Sequence, residues 1–140
     1  MKQTSADKSE YIVLLYCQYA LKKGEQLEVT AQEITDVDIK TKMMPCSSKV
    51  QAWELLKLLD EGAAAIELVV CPDNGCRNLI GSRRAGKRVA YAQSLLEEIG
   101  GKKERLGITM ESNLSAKSLI ELALRRYEQS QAAVEEGRNT

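Results

Sequence analysis

Apolar positions in this chain fall into two rhythms that alternate along the sequence: short unbroken runs, and longer stretches with a period near 3.6. Tyr11-Ile12-Val13-Leu14-Leu15-Tyr16 is an unbroken run of strand length that ends at Cys17. A run without alternation predicts a strand covered on both faces, as in parallel sheets. Residues 37–44 read as a second strand, ending in Pro45-Cys46, and their poorer apolar content predicts an edge position. Ala64-Ala65-Ile66-Glu67-Leu68-Val69-Val70 is a third, ending at Cys71, and residues 106–110 are a short fourth. Helical periodicity fills the intervals. Ser48-Lys49-Val50-Gln51 has the form of a capping box with Ser48 as N-cap, opening a helix that carries Val50, Trp53, Leu56 and Leu59 on one stripe and stops at Gly62. Residues 83–99 carry Ala85, Val89, Ala92 and Leu96 at helical spacing, closed by Gly100-Gly101. The last helix spans residues 115–135, its stripe built from Leu119, Ala123 and Tyr127 with Ile120 and Leu124 beside them. Only the polar stretch around Gly24 has a helix content that the pattern leaves open.

Strands that alternate with helices, with no hairpin signal between them, predict right-handed crossovers. The fold class is therefore α/β: one open parallel sheet of about four strands with helices on both faces, of the flavodoxin or Rossmann type. It occupies residues 10–136, between polar tails at 1–9 and 137–140. In such sheets, sites form outside the carboxyl ends of the strands, where the strand order reverses. Cys17 ends the first strand, Cys46 follows the second, Cys71 ends the third and Cys76 lies in the same loop as Cys71. Parallel strands bring all four to one edge of the sheet.

Composition removes several classes of function. Twenty basic and twenty acidic residues cancel, which argues against a general nucleic-acid or anionic-membrane surface. No apolar run approaches the roughly 18 residues of a spanning helix, and the opening MKQTSADKSE has no apolar signal core, so a cytoplasmic protein is expected. Histidine is absent. Histidine-based triads and Rieske-type ligation are thereby excluded within the chain, and any metal must rest on thiolate and oxygen ligands.

Four cysteines in a cytoplasmic chain can be buried small hydrophobes, metal ligands or redox thiols. The first reading leaves unexplained why each one falls at a strand end and none in a helix. Structural zinc suits four thiolates, but usually through two close pairs, whereas this chain offers one Cys-x4-Cys and two single cysteines. A Cys-x-x-Cys redox motif is absent. Thiolates gathered from several loops are compatible with a 2Fe-2S cluster, and spacing alone leaves these readings open. After the loop, Arg83, Arg84, Lys87 and Arg88 crowd the start of a helix whose last turn holds Glu97 and Glu98. That arrangement opposes the helix dipole at both ends, as a solvated face, a balance for an anionic centre or a dock for an acidic partner would each tolerate.

At these residues the sequence resembles the delta subunit of methyl-viologen-reducing hydrogenase, a small iron-sulfur subunit that accompanies heterodisulfide reductases. Tyr16-Cys17-Gln18-Tyr19 stands where the family has a Cys-Asn-Trp-Cys-like run, and Met44-Pro45-Cys46-Ser47-Ser48-Lys49-Val50 is similar to its second cysteine block. The third block is Cys71-Pro72-Asp73-Asn74-Gly75-Cys76, followed by Gly81, Ala85, Arg88, Val89 and Leu95-Leu96-Glu97-Glu98-Ile99-Gly100. The resemblance covers residues 11–112. It departs at Tyr16 and Ala20, where the family carries further thiols. The resemblance implies an electron-transfer subunit with a 2Fe-2S cluster on Cys17, Cys46, Cys71 and Cys76. It also implies electrons passed between a partner oxidoreductase and a heterodisulfide-reductase-A-like flavoprotein in an anaerobic complex, with no turnover by the chain alone. The alternative from another class is a cluster-free or zinc-bound adaptor that joins larger subunits. A nucleotide-binding enzyme is disfavoured, because the first strand leads into Cys17-Gln18-Tyr19-Ala20 rather than a glycine-rich phosphate loop.

Overall fold

The computed structural model describes residues 10–44, 50–72 and 81–139. Four strands, β1 (Tyr11–Cys17), β2 (Asp38–Met44), β3 (Ala63–Val70) and β4 (Leu106–Met110), alternate with four helices. The helices are α1 (Leu27–Ile34), α2 (Ala52–Asp60), α3 (Gly81–Glu98) and α4 (Ala116–Asn139). All strand pairs are parallel and the order is β2-β1-β3-β4. The expected open parallel sheet is what the chain forms. The N-terminal tail, residues 1–9, lies outside the described residues, and α4 continues to Asn139, past its expected end at Glu135.

Burial explains the patterning. β1 and β3 are central and covered on both faces, so nearly every residue in them is buried, whereas β2 at the edge alternates exposed and half-buried positions. On one face Val13, Leu15, Ile66, Leu68 and Val70 pack against Leu55 and Leu59 of α2 and Ala85, Val89, Ala92 and Leu96 of α3. On the other, Ile12, Leu14 and Val69 pack against Leu27 and Ala31 of α1 and Leu119, Ile120 and Ala123 of α4. The α3 stripe is the expected one. The interval around Gly24 does contain a helix, α1, and Gly24 itself takes a positive φ of 90° in the turn before it.

The start and phase of α2 differ from expectation. Gln51, not Ser48, is the N-cap: its side chain accepts from the Glu54 backbone N–H, and Glu54 Oε1 accepts from the Gln51 N–H at 3.0 Å. Ser48 itself lies outside the described residues. From that start, Leu55 and Leu59 face the sheet one turn apart while Trp53 is 63% exposed. Apolar residues surround much of this short helix, so periodicity admits more than one phase and packing selects among them.

Two polar ties lock the layers. Arg105, in the 3-10 turn Lys103–Arg105, donates from Nη2 to the Ala63 carbonyl (2.8 Å) and from Nε to that of Ala64 (3.2 Å). Glu67, in the middle of β3 and 1% exposed, takes Arg126 Nε of α4 on Oε1 at 2.9 Å and the Thr109 hydroxyl on Oε2 at 2.5 Å. Gly107 is the register partner of Glu67, and a Cβ there would fall 2.1 Å from the Arg126 guanidinium carbon. The missing side chain is what lets Arg126 cross β4 to reach the carboxylate.

Candidate functional site

The strand order reverses between β1 and β3: from β1 the chain goes outward to β2, and from β3 it goes outward the other way to β4. In open α/β sheets this switch opens a crevice at the carboxyl ends of the two central strands. Cys17 is the last residue of β1 and Cys71 directly follows β3. Their sulfurs stand 3.7 Å apart, with Cys17 6% exposed and Cys71 1% exposed. The separation is far beyond the roughly 2.05 Å of a disulfide bond. It matches what one metal ion asks of two ligands, since thiolates held about 2.3 Å from a tetrahedral ion lie about 3.7–3.8 Å from each other. It also suits a neutral S–H···S contact.

The loop that follows Cys17 is pinned from both sides. Gln18 N–H donates to the Met44 carbonyl at the end of β2 (3.3 Å), and Ala20 N–H turns back to the Cys17 carbonyl (2.8 Å). Asn113 N–H donates to Tyr19 (3.0 Å) and Leu114 N–H to Ala20 (2.8 Å), so the segment after β4 braces the same turn. Asn113 reaches this position with a φ of 55°, a left-handed conformation that asparagine tolerates better than most residues. Glu25 accepts from the Ala116 N–H at the start of α4 (2.9 Å), filling one of the open donors there. The carboxyl edge at β1 is thus a braced turn.

Tyr16 and Ala20, the positions where further thiols were expected by resemblance, are both buried in the core beneath α1 and α4. Burial raises the Tyr16 phenol above its ordinary range, and the nearby Glu28 carboxylate raises it further. It stays protonated and fills its place as a neutral side chain. Ala20 offers no donor atom. Neither residue substitutes for a thiolate.

The other expected ligands, Cys46 and Cys76, lie outside the described residues, and among the described residues no group of three or more candidate metal ligands converges. The basic run divides in two. Arg83, Arg84 and Lys87 are exposed on the first turns of α3, which start at the carboxyl edge because α3 returns antiparallel to β3. Arg88 is half-buried, and its Nη1 donates to the Val50 carbonyl at 2.9 Å, tying α3 to the residue that precedes the α2 cap. That brace was not legible in the run of charges. The only sign of it was a basic residue one position ahead of the buried Val89.

The profile of the methyl-viologen-reducing hydrogenase delta subunit matches residues 12–131. The chain belongs to this family. The match runs from β1 through β4 and into α4, farther than the cysteine blocks alone reach. Comparison with curated proteins finds no match. The family assignment makes the chain a subunit of an oxidoreductase complex. No helix among its described residues is long and apolar enough to cross a membrane.

Proposed function

We propose that this delta-subunit relative is the electron-transfer subunit of its complex, with a 2Fe-2S cluster held by Cys17, Cys46, Cys71 and Cys76. Its electrons pass between a partner oxidoreductase and a heterodisulfide-reductase-A-like flavoprotein. The observation that carries this reading is the Cys17–Cys71 pair: two buried sulfurs 3.7 Å apart at the sheet's switch point, contributed by strands distant in sequence. Once bound, such a cluster supplies one-electron chemistry at a potential set by charge, hydrogen bonds and exposure.

The chain's own residues do the rest. Burial of Cys17 and Cys71 keeps water from their sulfurs, and the braced turn at Gln18–Ala20 holds the first of them against movement. Arg88 fixes Val50, the last residue of the Cys46 block. The absence of histidine and of a glycine-rich phosphate loop supports a relay rather than a self-contained enzyme. Flavin or another catalytic group must come from the partners.

Reconstitution tests the relay. In a complex assembled with a cluster-free variant of this subunit, electron flow between the partners should collapse while each partner's half-reaction with an artificial dye persists. Undiminished flow would make the subunit an adaptor. Converting Arg83, Arg84 and Lys87 together to Glu should lower the reduction potential or weaken assembly, because removing positive charge near an anionic centre disfavours the added electron. Arg88 is left in place so that the Val50 brace is not confounded with charge. Potentiometry and assembly titration read the two effects separately, and no change in either would mark the run as a solvated face.

A further inference from the structure

Among the described residues, the layer made by α2 and α3 covers β2 only at its end, at Met44. A groove of about 630 Å³ runs between α2 and the edge of the sheet, with Val13 and Leu15 of β1 in its floor, Trp53 and Leu58 on its α2 wall and Lys40 and Lys42 of β2 along its rim. By register Lys40 lies beside Val13 and Lys42 beside Leu15, so both lysines stand on the groove side of the sheet. The other charges at the groove are spoken for: the Glu54 carboxylate accepts from the Gln51 N–H, and Lys57 faces Glu61 at 4.0 Å. Lys40 rests over the Tyr11 ring, 4.1 Å from its centroid, and Lys42 has no ion pair among the described residues. With three lysines against two glutamates, the net charge of the lining is positive.

We infer that this groove seats an amphipathic helix of a partner chain, with apolar side chains toward Trp53 and Leu58 and carboxylates along the flank that meets Lys40 and Lys42. The inference rests on the subunit role and adds where a partner binds. A helix beside α2 would fill the open place in the layer at ordinary helix-packing distance, as in helix-in-groove recognition. A strand added outside β2 would leave the apolar floor empty, because that floor lies one strand inward, on β1. A small ligand fits poorly, because the buried polar side chains among the described residues, Glu67 and Ser130, are not in the groove. Met44, at the same rim, is the register partner of Cys17, so the seated helix lies one strand from the candidate centre.

The test uses the native complex that contains this chain. Acetylation of its lysines by an acetyl succinimidyl ester, read residue by residue by mass spectrometry, should be about fivefold or more slower at Lys40 and Lys42 than in the isolated chain, as expected for charges buried in a complementary contact. Carbodiimide coupling should join those lysines to Asp or Glu residues of another subunit, spaced three or four apart in its sequence. The Lys40→Glu/Lys42→Glu variant should assemble about tenfold or more weakly, with unchanged circular dichroism in the isolated chain. Equal acetylation in both states overturns the inference. So do links confined to a second copy of this chain, recognised by mixing isotopically labelled and unlabelled protein, and links to partner carboxylates at alternating, strand-like spacing. None of these readouts needs iron, so failure of the cluster assignment and failure of the docking site are distinguishable.

Discussion

A Cys71→Ser variant purified without oxygen should lose its iron, its acid-labile sulfide and its visible absorbance. The change keeps the size of a side chain that is 1% exposed but replaces a soft thiolate with a hydroxyl that binds iron far less well. Cys17→Ser should behave alike, because its sulfur is the neighbour at 3.7 Å. The same loss is expected at Cys46 and Cys76, since four cysteines leave no spare ligand. Both central strands owe their burial to aliphatic residues on two faces, so the far-UV spectrum should survive. A variant at either central cysteine that kept its full iron and an unaltered spectrum would remove that residue from the ligand set.

The largest effect on stability should come from Arg126→Met. The change strands the Glu67 carboxylate, whose side chain is only 2% exposed, with a single hydroxyl partner at Thr109. Removing one member of a buried ion pair typically costs about 3–5 kcal/mol. The lower end is expected here, because the Arg126 side chain is 19% exposed and part of the pair's strength is already screened. For a chain of this size that corresponds to a fall in Tm of roughly 10 °C. The double variant Glu67→Met/Arg126→Met should recover much of the loss, because no buried charge is then left unpaired. A loss below about 1 kcal/mol for Arg126→Met in a denaturant titration would show that water solvates Glu67 when its partner is gone.

That ion pair also marks where sequence reading reached its end. Glu67 interrupts an otherwise apolar run, and Arg126 sits three residues after the buried Ala123, on the inward side of α4. Each departs from its local pattern, but only the sheet order brings them together, and local periodicity does not encode sheet order. The central strands were legible because burial on both faces leaves an unbroken apolar run, and β2 was legible as an edge because its outer side meets water. The phase of α2 was not. Trp53, Leu55, Leu56, Leu58 and Leu59 surround the helix, so the Gln51–Glu54 cap and the contact with the sheet decide that Leu55 and Leu59 go inside.

At the site, parallel pairing was enough to bring Cys17 and Cys71 to one edge. Their contact follows from a fact the pattern does not carry, that β1 and β3 are immediate neighbours in the sheet. Arg88 was read as one charge among four, whereas its place beside Val89 turns it inward to the Val50 carbonyl. Cys46 and Cys76 rest on the family likeness and on the same-edge argument alone.

Metal analysis of the full-length protein, purified under anaerobic conditions, tests the central claim most directly. The account predicts about two irons and two acid-labile sulfides per chain, the content of one 2Fe-2S cluster, together with a brown colour that bleaches on reduction. Stoichiometric zinc without iron or sulfide, in protein never exposed to oxygen, would contradict it and leave the chain a zinc-bound adaptor within its complex.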